Sequence, residues 1–151
     1  MLTKTKFITN FFLSVLFISL TGVGCASIKK SSPELDQNAK KFTPLTGKAN
    51  IYIFRDELLG GAVSINVDID GTLIGTTAAK TFLLASVYPG KHVIHSNAEN
   101  ESVLEVETQK NKNYFIWQEV KMGILFARNK LQQVTEENGK SRIKECSLIG
   151  Q

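Results

Sequence analysis

Two runs in this sequence, Ile51-Tyr52-Ile53-Phe54 and Tyr114-Phe115-Ile116-Trp117, are apolar at every position. Successive side chains of an extended chain point to opposite faces. A strand built from either run must therefore be covered on both sides. Around these runs the pattern is different. Val63, Ile65, Val67 and Ile69 alternate with Ser64, Asn66, Asp68 and Asp70, which is a period-two strand with one wet face. Asp70-Gly71 is a hairpin signal ahead of Thr72-Leu73-Ile74. Thr81–Val87 runs into Tyr88-Pro89-Gly90, a turn with Pro at its second position and Gly at its third. His92–His95 and Val103–Val106 add two more short apolar runs. About seven short strands separated by turns predict a mainly β domain, a small antiparallel β-sandwich or barrel. Thr135–Lys144 reads as a short C-terminal helix with Thr135 as N-cap. Gly139 in its middle costs about 1 kcal/mol relative to Ala.

The amino terminus carries a different signal. Met1–Lys6 is short and positive, residues 7–20 form an uncharged apolar stretch, and Thr21-Gly22-Val23-Gly24-Cys25 follows. Positive start, short apolar core and small-residue exit describe a secretory signal over 1–24. A permanent span needs roughly 20 mainly apolar residues, and Asn10, Ser14 and Ser19 interrupt this core. The stretch around Cys25 resembles a bacterial lipobox. That resemblance implies lipid on the Cys25 sulfur and cleavage after Gly24. It departs from the pattern at Gly22, where Leu is usual. Ala26 is not the Asp that retains such proteins at the inner membrane, so the resemblance implies the periplasmic face of the outer membrane. Residues 25–47, rich in Ser, Lys and Pro, read as the lipidated cysteine and a flexible tether reaching roughly 25–30 Å. The alternative is a short helix around Glu34–Lys41.

Net charge is +4, but the excess lies in the leader and tether. From Lys48 to the end, twelve basic residues face twelve acidic ones. A domain without net positive charge is a poor nucleic-acid binder, because phosphate neutralisation supplies most of that affinity. With 42% hydrophobic and 21% charged residues, the chain is ordinary for a globular protein and unlike a disordered one.

The domain, residues 48–151, carries a resemblance. Ile51-Tyr52-Ile53-Phe54-Arg55, Val67-Asp68-Ile69-Asp70-Gly71 with Ile74-Gly75, Tyr88-Pro89-Gly90-Lys91-His92, and Lys112-Asn113-Tyr114-Phe115 look like the bacterial lipoprotein family of domain of unknown function 2846. The Asp-Gly, Ile-Gly and Pro-Gly-Lys-His order is also similar to PEGA-type envelope modules. Neither resemblance implies an activity or a catalytic set.

Residue chemistry points to binding rather than catalysis, with no cofactor. Asn66–Gly71 copies half a calcium loop, but its twelfth position is Thr77 where a bidentate Glu is needed. His92 and His95 fall on opposite strand faces, the wrong geometry for one metal. Gly-x-Ser-x-Gly and phosphate-binding Gly loops are missing, and Gly60-Gly61 reads as a turn. Glu105 and Glu107 share a strand face with Lys110 and Lys112 following, as at a charged edge. Cys146 reads as a small buried apolar side chain, or as one half of an intermolecular disulfide. Arg55, at the end of an apolar strand beside Asp56 and Glu57, is either a fork for carboxylate or phosphate or half of an internal ion pair. Arg55, Tyr88 and His92 are the candidate binding residues. Met122–Ala127 reads as a core strand, or as an apolar patch for a partner. The expectation is a membrane-anchored, non-catalytic module binding another envelope protein, peptidoglycan or glycan. A periplasmic enzyme or enzyme inhibitor, and a purely structural lipoprotein, are the alternatives.

Overall fold

The computed structural model describes residues 28–58, 63–122 and 127–150. The segment 1–24 expected to be a secretory signal, Cys25 and Gly60-Gly61 lie outside them. Among the described residues the chain forms α1 (Pro33–Ala39), β1 (Ala49–Arg55), β2 (Ile65–Ile69), β3 (Thr72–Thr77), β4 (Thr81–Val87), β5 (Gly90–Asn97), β6 (Glu101–Thr108), β7 (Asn113–Met122), β8 (Ala127–Val134), α2 (Glu136–Ile143) and β9 (Ser147–Leu148). The strands make two sheets, ordered β8-β7-β1-β4-β9 and β3-β2-β5-β6. The architecture is a sandwich, not a closed barrel. Most neighbours are antiparallel, but β1 pairs with β7, and β4 with β9, in parallel.

Alternation along the central strands builds three layers. Ile51 and Ile53 of β1 and Ile116 of β7 point toward the smaller sheet and join Val67, Ile69, Leu83, Ile94, Val106 and Leu131 between the sheets. Tyr52, Phe54 and Phe115, one residue out of phase, point the other way and join Ala39, Phe42, Phe82, Ile143, Cys146 and Leu148. Helices α1 and α2 cover that second face. The two all-apolar runs are thus the middle of the molecule. Rings carry much of the outer layer: Tyr52 stacks on Phe115 at 5.1 Å between centroids, and Phe42 meets both at 5.3 and 5.8 Å.

The C-terminal helix forms where expected, with Thr135 Oγ1 accepting from Asn138 N–H. Gly139 is more than a tolerated defect. A Cβ there would lie 2.5 Å from Phe115 Cδ1 and closer still to Phe115 Cγ and Cβ. The missing side chain lets α2 lie directly on the ring.

Three expectations need correction. From Ile28 onward the supposed tether is folded onto the domain. Ser32 caps α1 by accepting from Leu35 N–H, and Pro33 begins the helix, where its fixed φ and missing N–H cost nothing. Ala39 and Phe42 are buried, Lys30 bridges Ile149, and Asp36 accepts from the Leu148 N–H at 2.7 Å. Ala39 and Phe42, seven and ten residues after the Ser32 cap, supply the burial that a solvated coil would lack. Second, Met122–Ala127 is not one strand. Met122 ends β7, Ala127 begins β8 and the two pair, while residues 123–126 lie outside the described ones. Third, β8 was not foreseen, because Arg128, Lys130 and Gln133 face solvent and even inward-facing Asn129 is polar.

Candidate functional site

The candidate binding residues do not converge. The β1–β4 pairing runs from Ala49↔Val87 to Arg55↔Thr81, so Arg55 stands at one end of the sandwich and Tyr88 and His92 beyond the other. At about 3.3 Å per residue that separation is roughly 20 Å.

Arg55 shares the parity of Ile51 and Ile53, so its side chain enters the space between the sheets, fully buried. Its Nη1 donates to the Val63 carbonyl at 2.7 Å. Burial lowers its pKa, and the nearby Glu57 charge works in the opposite direction. It closes a buried polar end in which Thr77 Oγ1 lies 2.5 Å from Gln118 Oε1 and Gln118 Nε2 donates to Ser96 Oγ at 2.6 Å. Asp56, one residue on, faces the helices and is taken by Arg142, whose Nε and Nη2 donate to its two oxygens at 2.6 and 2.5 Å. The same guanidinium lies 4.0 Å from the Trp117 ring centroid, and Trp117 Nε1 donates to Glu57 Oε1 at 2.7 Å. Asp56 thus pairs with Arg142 on the helical face, while Arg55 points the opposite way, with the Glu57 charge nearby. Cys146 is buried, and that burial pushes its thiol up to about 12.

His92 is a clamp. Its Nδ1 lies 2.6 Å from Asp70 Oδ2 in the β2–β3 turn, and its Nε2 lies 2.8 Å from the Tyr88 carbonyl. Both nitrogens face acceptors, so the doubly protonated ring satisfies both. Burial opposes that charge, but the Asp70 bond, the Tyr88 carbonyl and the charges of Asp70 and Glu107 prevail, and the pKa is raised. Asp70 also accepts from the Val93 N–H, and this bond, followed by the one from His92, lowers its own pKa. His95 faces outward and pairs with Glu101 at 2.8 Å. Tyr88 is 73% exposed, with Lys48 Nζ 4.9 Å from its ring centroid. The half calcium loop is a strand entering a hairpin, with Asp68 paired to Leu73 across it. Among the described residues no three His, Cys, Asp or Glu side chains gather as a metal site.

The feature that sequence reasoning missed is a cleft of about 380 Å³ on the helical face. Its floor is Asn50, Tyr52, Leu84 and Ser86, the even-numbered positions of β1 and β4 that α2 does not reach. Leu35, Asn38 and Ala39 of α1 form one wall, and Thr43 and Leu45 the other. Ser86 Oγ donates to Asn50 Oδ1 at 2.7 Å, and Tyr52 Oη donates to the Ala39 carbonyl at 3.0 Å. Leu35 and Leu45 stay 42% and 60% exposed at the rim. The lining is apolar with uncharged amides and hydroxyls, and its volume lies within the range of small-ligand pockets. The signal was present in Ser32-Pro33-Glu34, a cap, a first-turn Pro and an acid, but it sat inside the segment taken for a tether.

The profile of the family described as protein of unknown function (DUF2846) matches residues 45–129. This chain belongs to the DUF2846 family. Within this DUF2846 member the matched stretch supplies the cleft floor and Leu45, whereas α1 and α2 lie outside it. An uncharacterized protein of Haemophilus influenzae is 34% identical over 137 residues, covering 89% of this chain and 82% of that protein. No solved structure matches. Among the described residues of this family member, no helix is long and apolar enough to cross a membrane.

Proposed function

We propose that this chain is an envelope lipoprotein, anchored through Cys25, whose domain binds an uncharged, extended segment of another envelope protein in the α1 cleft. The observation that carries the binding reading is the cleft itself. It is open, floored by Tyr52, Leu84 and the neutral side chains of Asn50 and Ser86, and rimmed by exposed Leu35 and Leu45. Exposed apolar surface of this kind marks interaction sites. A glycan is served less well, because the Tyr52 ring is buried under α1 and offers no stacking face. A binding role also suits what the reactive groups do: Arg55, His92 and Asp56 hold elements together, and the Cys146 thiol is protonated at neutral pH.

The test is photocrosslinking in intact cells from position 45, with position 58 as the distant control. A protein adduct from 45 that disappears when Ser86→Trp fills the cleft supports the reading. Adducts to phospholipid alone, or a protein adduct indifferent to Ser86→Trp, refute it. For the anchor, Cys25→Ser is expected to release the protein from the membrane fraction.

A further inference from the structure

Docking of residues 28–31 shortens the leash between the acylated cysteine and the domain. Lys30 bridges Ile149, and Ser31 N–H donates to the Leu148 carbonyl at 2.9 Å. β9 runs parallel to β4, so the segment antiparallel to β9 runs backward from Ser31 to Ile28 toward the Val87 end. Ile28 packs against the core between the sheets. Only Ala26 and Ser27 separate it from Cys25, and three fully extended residue steps span about 10 Å. The domain is thereby held against the bilayer by its Val87 end, not 25–30 Å away.

That end presents one row across the larger sheet. Lys110 and Lys112 sit in the β6–β7 turn, Lys48 precedes β1, and Tyr88 follows β4, next to the edge where the N-terminal segment lies. The loops are bonded together. Asn111 N–H donates to the Lys48 carbonyl at 2.6 Å, and Gly47 N–H donates to Asn111 Oδ1 at 2.9 Å. The Tyr88 carbonyl is held by His92 Nε2 and by Thr108 Oγ1. Lys91 is paired with Glu105 and His92 with Asp70. Among the described residues neither Lys110 nor Lys112 has an ion-pair partner, and both are exposed. Among the described residues Glu107, opposite Lys91 and close enough for its charge to act on His92, makes no ion pair of its own. A rigid, exposed tyrosine flanked by lysines is the side-chain set of a membrane interface, where the ring sits at headgroup depth and the ammonium groups meet lipid phosphates.

We infer that the end formed by Tyr88, Lys48, Lys110 and Lys112 docks on an anionic phospholipid leaflet and fixes the domain's orientation there. The inference rests on Cys25 being the anchor. It gives Tyr88 the contact and His92 the task of holding the Tyr88 turn in place. The cleft on the helical face adjoins this end, its floor beginning one register step away at Asn50 and Ser86.

The test uses the full, acylated chain reconstituted in phosphatidylethanolamine–phosphatidylglycerol vesicles that carry a headgroup spin label. An environment-sensitive dye goes on Gln109→Cys, in the docking end, or on Glu99→Cys, in the β5–β6 turn about 25 Å away along β5. Cys146 is buried and does not compete. Mass analysis of the N-terminal peptide reports the acyl group independently. The expected result is strong quenching at 109 and none at 99. Lys110→Glu with Lys112→Glu is expected to weaken docking about fivefold per lysine on anionic vesicles. Equal quenching at both positions on an acylated chain overturns the orientation and leaves the anchor standing. A bare Cys25 sulfur overturns both.

Discussion

Gly139→Ala sets two known effects against each other. In a solvated helix the change stabilises by about 1 kcal/mol, because Ala loses less backbone freedom and extends the helix more readily. Here the new methyl would lie 2.5 Å from Phe115 Cδ1 and closer to Cβ and Cγ. Two of those three atoms are at the root of the side chain. They cannot swing aside, because β7 is paired with β1 on one side and β8 on the other. Overpacking costs about 1–3 kcal/mol, and a rigid strand puts this case near the top of that range. The net expectation is a loss of about 1–2 kcal/mol, or about 4–8 °C in Tm for a domain of this size. Urea and thermal unfolding followed by fluorescence of Trp117, the single tryptophan, measure it. Ser141→Ala, on the exposed side of the same helix, is the control and is expected to change stability by a few tenths of a kcal/mol. Phe115→Leu should relieve part of the Gly139→Ala penalty, giving a coupling above about 0.5 kcal/mol in a double-mutant cycle. A Tm that rises in Gly139→Ala, or additive effects of the two changes, would refute the close packing of α2 on the strand.

Further outcomes follow from the two ends of the sandwich. The raised His92 pKa means that its clamp contributes fully below about pH 6.5, the unfolded value, and fades as pH climbs through the higher folded value. Asp70 works in the opposite sense, contributing above about pH 3.9 and losing its share as pH falls through its lowered value. The stability difference between wild type and His92→Gln, from urea titrations across pH, should therefore peak between about 4 and 6.5 and shrink above. Cys146, with its thiol pushed up to about 12, should resist thiol reagents at pH 8 in the folded protein and react at once in urea. Arg142→Ala removes a bidentate partner from Asp56 and a cation from Trp117, and should cost about 2–3 kcal/mol with a shift in tryptophan emission. Arg142→Lys should recover little of it, since a point charge cannot reproduce the planar fork.

The legible part of the fold was whatever burial writes into local pattern. Ile51–Phe54 and Tyr114–Trp117 announced strands covered twice, and they are the centre of three layers. Asp70-Gly71 and Tyr88-Pro89-Gly90 marked real turns, because backbone conformations of that kind demand those residues. β8 was hidden, since a strand whose inward positions include Asn129 has no apolar alternation to show. The parallel partnership of β1 with β7 was hidden as well, because pairing across sixty residues leaves no trace in either segment.

By itself, then, the sequence determined strand character, the sites of reversal and the capped helix before the C-terminus, all properties of neighbouring residues. Tertiary structure decided which faces met. It turned Gly139 from a flaw into a contact, seated residues 28–47 on the sheet, gave Asp56 to Arg142, and opened a cleft beside α1 over β1 and β4. These outcomes depend on atoms brought together from distant points of the chain, and local free energies of a few tenths of a kcal/mol per residue yield to the burial of whole side chains worth several times more.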